Sequence, residues 1–344
     1  MNIGVVVIGR NEGERLRRCL ESVAGIECRV VYVDSGSIDG SVAMARAMGA
    51  DVIELDLTVP FTAARARNVG YEYLVERHKQ LRFIQFIDGD CEIIGNWLPE
   101  AAFELETRPD LAIVTGLLHE RFPEASIYNR IGDLEWNASA AGEVSSVGGI
   151  FMIRCKAFDS VGKFNPTVPA GEEPELCHRL TREGWRIWRL DRNMAWHDLA
   201  MVNFKQWWKR MARFGYCSMD LAYRFGMPRY RRNNLRVRCW MTWLALVVVA
   251  GSLVISLQLQ GAALLLSLAM FSLWPAQLCR ITYRTIRGGQ PLDIAAAYAM
   301  FTTVAFLPQM AGQFMYLYDL LQKRTPRLIE YKAPTGSSNR RGNS

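Results

Sequence analysis

The chain opens on Ile3–Ile8, an apolar run interrupted only by Gly4, which is the pattern of a strand buried on both faces. Cys28–Val33, Val52–Leu55 and Phe83–Ile87 repeat it. Between these runs lie segments of helical spacing: one from Glu12, one over Val42–Met48 and one over Thr62–Arg77. Asn11 is expected to cap the first, with Glu14 completing a capping-box-like start, and Gly49 stops the second. Strand alternating with helix predicts an α/β sheet of parallel strands over the first two hundred residues. Ligands of such sheets bind beyond the carboxyl ends of the strands. Asn11 and Glu12, Asp34, and Asp88 with Asp90 fall at three such ends, so three polar clusters distant in sequence should meet in one crevice. A GxGxxG fingerprint is absent, which speaks against a dinucleotide.

The pattern changes after residue 204. Trp240–Leu259 and Gly261–Cys279 carry no charged residue, and each approaches the roughly 20 residues of a spanning helix. Only Gln260 and Gly261 mark the joint, so they read as a helical hairpin. Ile294–Leu307 is shorter and ends at Pro308, which predicts a re-entrant or interfacial segment. Gln309–Gln322 then reads as a surface helix with Met310, Phe314, Leu317 and Leu321 on one face. Arginines flank the hairpin on both sides (Arg229, Arg231, Arg232, Arg236 and Arg238 before it; Arg280, Arg284 and Arg287 after it). The positive-inside rule therefore puts both ends, and the tail, in the cytoplasm at an inner membrane. Ahead of the hairpin, Asn203–Tyr216 interleaves Trp, Phe and Met with Lys and Arg, which suits a helix in the headgroup layer. The expected organisation is a catalytic domain over 1–204, a basic amphipathic segment over 205–238, membrane helices over 239–322 and a basic tail over 323–344, disordered after Pro334.

Charge sharpens this division. The 344 residues carry a net charge of +7 and a mean hydropathy of +0.01, with 50% hydrophobic and 22% charged residues. That composition excludes both a disordered chain and one that is mostly membrane-embedded. The charge is unevenly placed: −8 over 1–204, +9 over 205–238, +1 over 239–322 and +5 over the tail. An acidic domain of −8 does not suit nucleic acid, so the basic pI of about 9.0 points to a membrane surface instead. Ile3–Ile8 is too short for the apolar core of a secretory leader. The eight cysteines are scattered without a CxxC pair, so neither a disulfide framework nor a zinc site is implied, as suits a reducing compartment.

Three features carry candidate chemistry. Asp88-Gly89-Asp90 directly follows a buried strand, and its carboxylates are hard ligands suited to Mg²⁺ or Mn²⁺ beside a diphosphate. Glu172-Glu173 begins a helical stretch over Glu173–Glu183, with Leu176 and Leu180 facing inward, and a carboxylate there can accept a proton from a hydroxyl. Glu175 merely favours the positive helix end. His197, just after a strand over Arg186–Leu190, can join a carboxylate and phosphate oxygens around a divalent ion. His78, His119 and His178 are assigned no chemistry.

Taken together, these stretches resemble glycosyltransferase family 2, in its membrane-anchored bacterial form. The matching segments are Val7–Glu12, Val33–Ser41, Ala66–Gly70, Phe86–Asp90, Gly148–Phe151 and Gly171–Leu180, which span roughly residues 3–200 in the family's order. The resemblance implies a Rossmann-like GT-A nucleotide-sugar domain followed by transmembrane or interfacial helices. It implies that Asp34 contacts the nucleobase, Asn11 and Glu12 the base or ribose, and that Arg67 lies near the nucleotide. Asp88 would face ribose and sugar, Asp90 would ligate the metal as part of a DXD motif, and His197 would complete that site. Gly148 and Gly149 would border sugar and acceptor. Glu173 would be the catalytic base. Here Glu-Glu replaces the family's usual Glu-Asp, so whether Glu172 or Glu173 reaches the acceptor stays open. Processive members carry Gln-x-x-Arg-Trp, whereas Gln206 is followed here by Trp207, Trp208, Lys209 and Arg210, which points to transfer of a single sugar. The implied activity is inverting, metal-dependent transfer from a nucleotide-diphosphate sugar, UDP-linked in preference to GDP- or dTDP-linked. The acceptor would be a lipid-linked or membrane-proximal glycan in cell-envelope polysaccharide synthesis. A polyprenyl-phosphate acceptor and a non-catalytic membrane scaffold are the alternatives, and a homo-oligomer stays open.

Overall fold

The computed structural model describes residues 2–59, 61–138, 140–258 and 261–330. They form two compact units, one of Met1–Pro123 with Gly132–Ala200 and one of Glu124–Ile131 with Met201–Tyr331. The Gln260 joint and the tail beyond Glu330 lie outside the described residues.

The first unit is a mixed sheet with helices. Its strands are β1 (Ile3–Gly9), β2 (Arg29–Asp34), β3 (Asp51–Glu54), β4 (Phe83–Asp88), β5 (Cys91–Ile93), β6 (Leu111–Glu120), β7 (Gly142–Glu143), β8 (Phe151–Arg154) and β9 (Arg186–His197). The order is β3-β2-β1-β4-β8-β6-β9-β5, with β7 on β9. The expected parallel pairing holds for β3, β2, β1 and β4; β8 then runs antiparallel to both β4 and β6. Val5, Val6 and Val7 are wholly buried because helices cover both faces. α1 (Glu14–Val23) and α4 (Trp97–Thr107) help form the core on one face, while α3 (Ala63–Arg77) and α7 (Glu172–Arg182) do so on the other. Short helices α2 (Ser41–Ala47) and α6 (Cys155–Ser160) fill connections, and α5 (Ile127–Trp136) bridges the division into units.

The expected cap of α1 does not form. Asn11 has φ +57°, its N–H donates to Ser37 Oγ at 2.8 Å, and its Oδ1 accepts from Ile38 N at 2.8 Å. Glu14 bonds Arg17 instead. An asparagine tolerates this left-handed backbone, and its side chain ties the β1 loop to the β2 loop rather than serving its own helix.

The second unit is helical: α8 (Phe204–Arg224), α9 (Pro228–Ser256), α10 (Ala262–Arg287), α11 (Leu292–Val304) and α12 (Phe306–Leu321). Asn203 and Gln206 form a reciprocal capping box on α8. α9 and α10 begin or end well outside the two uncharged runs, so the flanking arginines are helical rather than loop residues. The region expected to re-enter or lie at the interface forms α11 and α12. α11 and α12 are separated by Ala305 alone, and 292–321 together are long enough to span. Pro308 is the third residue of α12, inside the first turn, where a missing N–H leaves no helical bond unmade. α12 keeps the expected outward apolar face in part. Met310 is buried but Phe314 and Leu321 point outward, whereas Gln309, Gln313 and Asp319 are buried. Gly312 and Gly215 explain the packing: a Cβ on either would lie 2.0 Å from a backbone oxygen of the facing helix. Small residues at a close helix crossing, polar residues inward and apolar residues outward are what a lipid environment selects. Three helical stretches are thus long and apolar enough to cross a membrane (mean hydropathy 2.0, 1.6 and 1.4), which suggests membrane association.

Candidate active site

Strand register brings the predicted clusters level. Gly9 pairs with Asp34 and Ile8 with Asp88, so the carboxyl ends of β1, β2 and β4 open at one height. β8 runs the other way, and its pairing of Phe151 with Phe86 carries the preceding Gly148 and Gly149 back over Asp88.

Arg67, on α3, is the hub. Its side chain is 2% exposed and donates to Glu172 at 2.7 Å, to Asp88 at 2.9 Å and to Glu173 at 3.1 Å. One buried cation thus faces three carboxylates. Burial opposes its charge, but Asp88, Glu173 and Glu172 overcome that and hold its pKa above the ordinary value. The Phe164 ring lies 5.6 Å from the guanidinium carbon. A Cβ at Gly149 would come within 2.7 Å of both Arg67 and Asp88, so only glycine admits this contact. Gly148 faces open space.

The two glutamates of α7 differ. Glu172 is 5% exposed and turned into Arg67; Glu173 is 14% exposed. Burial, then the charge of Glu172, pushes the Glu173 carboxyl up to about 7, against the pull of Arg67. A carboxylate with that pKa is suited to accept a proton near neutrality.

Asp90 gathers a second cluster. Cys91 and His197 are cross-strand partners in β5 and β9, and His197 Nε2 lies 3.5 Å from Asp90 Oδ2. The Cys91 thiol donates to Asp90 Oδ1 at 3.1 Å. Ligand atoms of all three lie within 4.8 Å of one another, close enough for one ion. A carboxylate oxygen and an imidazole nitrogen suit Mn²⁺ or Mg²⁺, and the sulfur adds a softer donor. The Trp136 ring packs 4.6 Å from that of His197. The structure places His197 as the last residue of β9, which runs seven residues beyond the predicted strand.

Asp34 and Glu12 border the crevice differently. Asp34 is 2% exposed, and its oxygens accept from Tyr32 Oη, Ser37 Oγ, Gly36 N and Ser37 N. In this conformation its carboxylate shapes the β2 loop. Glu12 pairs with Arg15 at 2.7 Å and lies across Gly9 and Gly89, between the ends of β1 and β4.

Sequence reasoning did not find Cys91, Phe164, Tyr32 or Ser37. Cys91 adjoins Asp90, but its pairing with His197 depends on β9 meeting β5 from 106 residues away. Tyr32 stands two residues before Asp34, and that same-face spacing was the one readable hint.

A mixed sheet with acids at the carboxyl ends of its strands, a buried arginine hub and a carboxylate beside an imidazole has the architecture of a GT-A-type domain. The family model described as glycosyl transferase family 2 matches residues 4–162, a little under half of the chain. The chain is 28% identical over 235 residues to the pre-mycofactocin glycosyltransferase of Mycobacterium tuberculosis, covering 65% of this chain and 48% of that protein. It is 26% identical over 221 residues to the succinoglycan biosynthesis protein ExoA of Rhizobium meliloti, covering 58% of this chain and 64% of that protein. The chain therefore spans about half to two thirds of the length of these curated relatives. Its fold is shared with a mannosyltransferase from Pyrobaculum calidifontis, solved in complex with GDP-Man and Mn²⁺. The TM-score is 0.60 at 18% identity, over 92% of this chain and 87% of that one.

Proposed function

We propose that this enzyme transfers a single sugar, with inversion, from a nucleotide-diphosphate sugar to a lipid-linked or membrane-proximal acceptor. The Arg67 hub carries the reading: it joins the nucleotide side of the crevice, at Asp88, to the glutamates at the head of α7. The nucleotide lies over the ends of β1 and β2, where Asn11 and Glu12 line its path and the Asp34-shaped loop presents backbone groups to the base. Asp88, 39% exposed, faces the ribose and sugar, and the open space at Gly148 takes the sugar and acceptor.

Glu173 is the base. It is the more exposed glutamate, and its raised pKa lets it take the acceptor hydroxyl's proton as that oxygen attacks the anomeric carbon. Glu172 holds Arg67 in place, and Arg67 in turn fixes Glu173. Asp90 and His197, with Cys91 orienting Asp90, would hold a divalent ion, Mg²⁺ or Mn²⁺, which would supply positive charge beside the diphosphate. The acidic domain lies on the cytoplasmic side of an inner membrane under the positive-inside reading of the arginines around α9 and α10. Envelope polysaccharide synthesis is the setting this anchoring suits.

A polyprenyl-phosphate acceptor is the second reading, favoured by the three apolar helical stretches. Such an acceptor is already an anion and needs little base assistance. Calorimetry with UDP-, GDP- and dTDP-sugars, with and without Mn²⁺, tests the donor site. Metal-dependent binding of one class, lost in Asp90→Ala, is expected; no binding of any class favours a non-catalytic scaffold and overturns the proposal.

A further inference from the structure

The second unit contains a cavity of about 470 Å³ between α8 and α9, lined by Met219, Ala222, Tyr223, Arg231, Asn234, Leu235 and Arg238. On α9 the lining residues fall at i, i+3, i+4 and i+7, a single stripe facing the stripe of 219, 222 and 223 on α8. The floor is fixed. Asn234 is 5% exposed, donates to the Ser218 carbonyl at 3.0 Å, and accepts from Ser218 Oγ at 2.8 Å and Gln313 Nε2 at 3.3 Å.

The walls are chemically divided. Arg231 and Arg238 are both exposed, no acid lines the cavity, and neither arginine makes an ion pair among the described residues. Arg238 reaches only the Met219 sulfur, at 3.5 Å. Asp220, the acid nearest in sequence on α8, is buried and bound by Arg224. Opposite this charge stand Met219 and Ala222, with Tyr223 and Leu235 more than 60% exposed at the mouth. Two cations lacking an anion, beside an apolar wall open to the outside, are complementary to a phosphate joined to an acyl chain.

The level along α9 agrees. Its uncharged run begins at Trp240, two residues after Arg238 and nine after Arg231. At roughly 1.5 Å per residue the two arginines stand about 3 and 14 Å outside the apolar boundary. A headgroup layer is about 5–8 Å deep on each side of the hydrocarbon, so Arg238 falls within it, Arg231 lies on its aqueous side, and the cavity between them straddles its outer edge. The geometry points to a binding site for a single net-anionic phospholipid, its phosphate held between Arg231 and Arg238 and its apolar part against Leu235, Tyr223 and Met219. This site is lined by α8 and α9 alone, and its standing does not depend on the proposed transfer.

Native mass spectrometry of the full chain in a non-ionic detergent tests it, with phosphatidylglycerol, phosphatidylcholine or inorganic phosphate added separately. One phosphatidylglycerol retained per chain is expected, with affinity reduced at least tenfold in the Arg231→Gln/Arg238→Gln variant. Arg232→Gln/Arg236→Gln removes equal charge from α9 outside the cavity and should leave retention unchanged. Equal retention of phosphatidylcholine, or equal loss in both double variants, would overturn the site in favour of a general basic surface. Inorganic phosphate binding as tightly as the lipid would overturn the lipid assignment. Both arginines are exposed, so folding is not at stake; an unchanged melting temperature checks this.

Discussion

Glu173→Gln separates a strained carboxylate from an ordinary one. In the fold Glu173 titrates at about 7, against an ordinary 4.5. The cause is burial beside Glu172, which Arg67 only partly offsets, because it also serves Glu172 and Asp88. The folded state thus binds this proton more tightly than the unfolded chain does. Its contribution to stability is fully present below pH 4.5 and is lost as pH rises through 7. A carboxyl raised from 4.5 to about 7 corresponds to about 3 kcal/mol of destabilisation at pH 8 relative to pH 4. Glutamine keeps the shape and removes the charge. We expect the melting temperature of the first unit in Glu173→Gln to exceed that of the wild type by several degrees at pH 8, with the gap closing toward pH 5. Scanning calorimetry of both proteins in detergent across that range reads it directly. Parallel curves, or a variant less stable at pH 8, would refute the argument that Glu173 is held out of its ordinary range by burial and by Glu172.

Other perturbations probe the neighbouring contacts. Arg67→Met leaves three carboxylates without their cation and should cost about 3–5 kcal/mol at neutral pH; calorimetry should show part of this recovered on acidification, as the carboxylates protonate. Gly149→Ala should weaken nucleotide-sugar binding measurably in titration calorimetry, since its Cβ must displace Arg67 or Asp88. His197→Ala should lower Mn²⁺ affinity, read by electron paramagnetic resonance, by more than the roughly 10–100-fold that loss of an outer-shell partner costs. Gly312→Leu should drive α12 from α8 and lower the melting temperature of the detergent-solubilised chain, because its backbone approach leaves no room for a side chain.

Much of the first unit was legible because its strands are short, wholly apolar and separated by helices of regular spacing. That pattern located Asp34, Asp88 and Asp90 at strand ends without any knowledge of the sheet. It did not disclose the antiparallel insertion of β8, since local pattern carries no strand order. For the same reason the meeting of Cys91 with His197, and of Arg67 with Glu172, was invisible: each is a long-range contact. Asn11 misled because a residue suited to capping is equally suited to a left-handed turn. Pro308 misled because proline breaks a helix interior but not its first turn, and the sequence does not say which applies. The burial of Gln309, Gln313 and Asp319 on α12 was not legible, because the facing α8 is distant in sequence.

The central claim is that a sugar passes from a nucleotide donor to a membrane acceptor at the Arg67–Glu173 crevice. Its most direct test follows radiolabelled sugar from the donor identified by calorimetry into the organic-extractable fraction of membranes, for wild type, Asp90→Ala and Glu173→Gln. The account predicts label in that fraction with wild type, none with Asp90→Ala and about 10²–10⁴-fold less with Glu173→Gln. Loss in Asp90→Ala with little change in Glu173→Gln would move the assignment to a phosphate acceptor. Undiminished label with both variants would contradict the account.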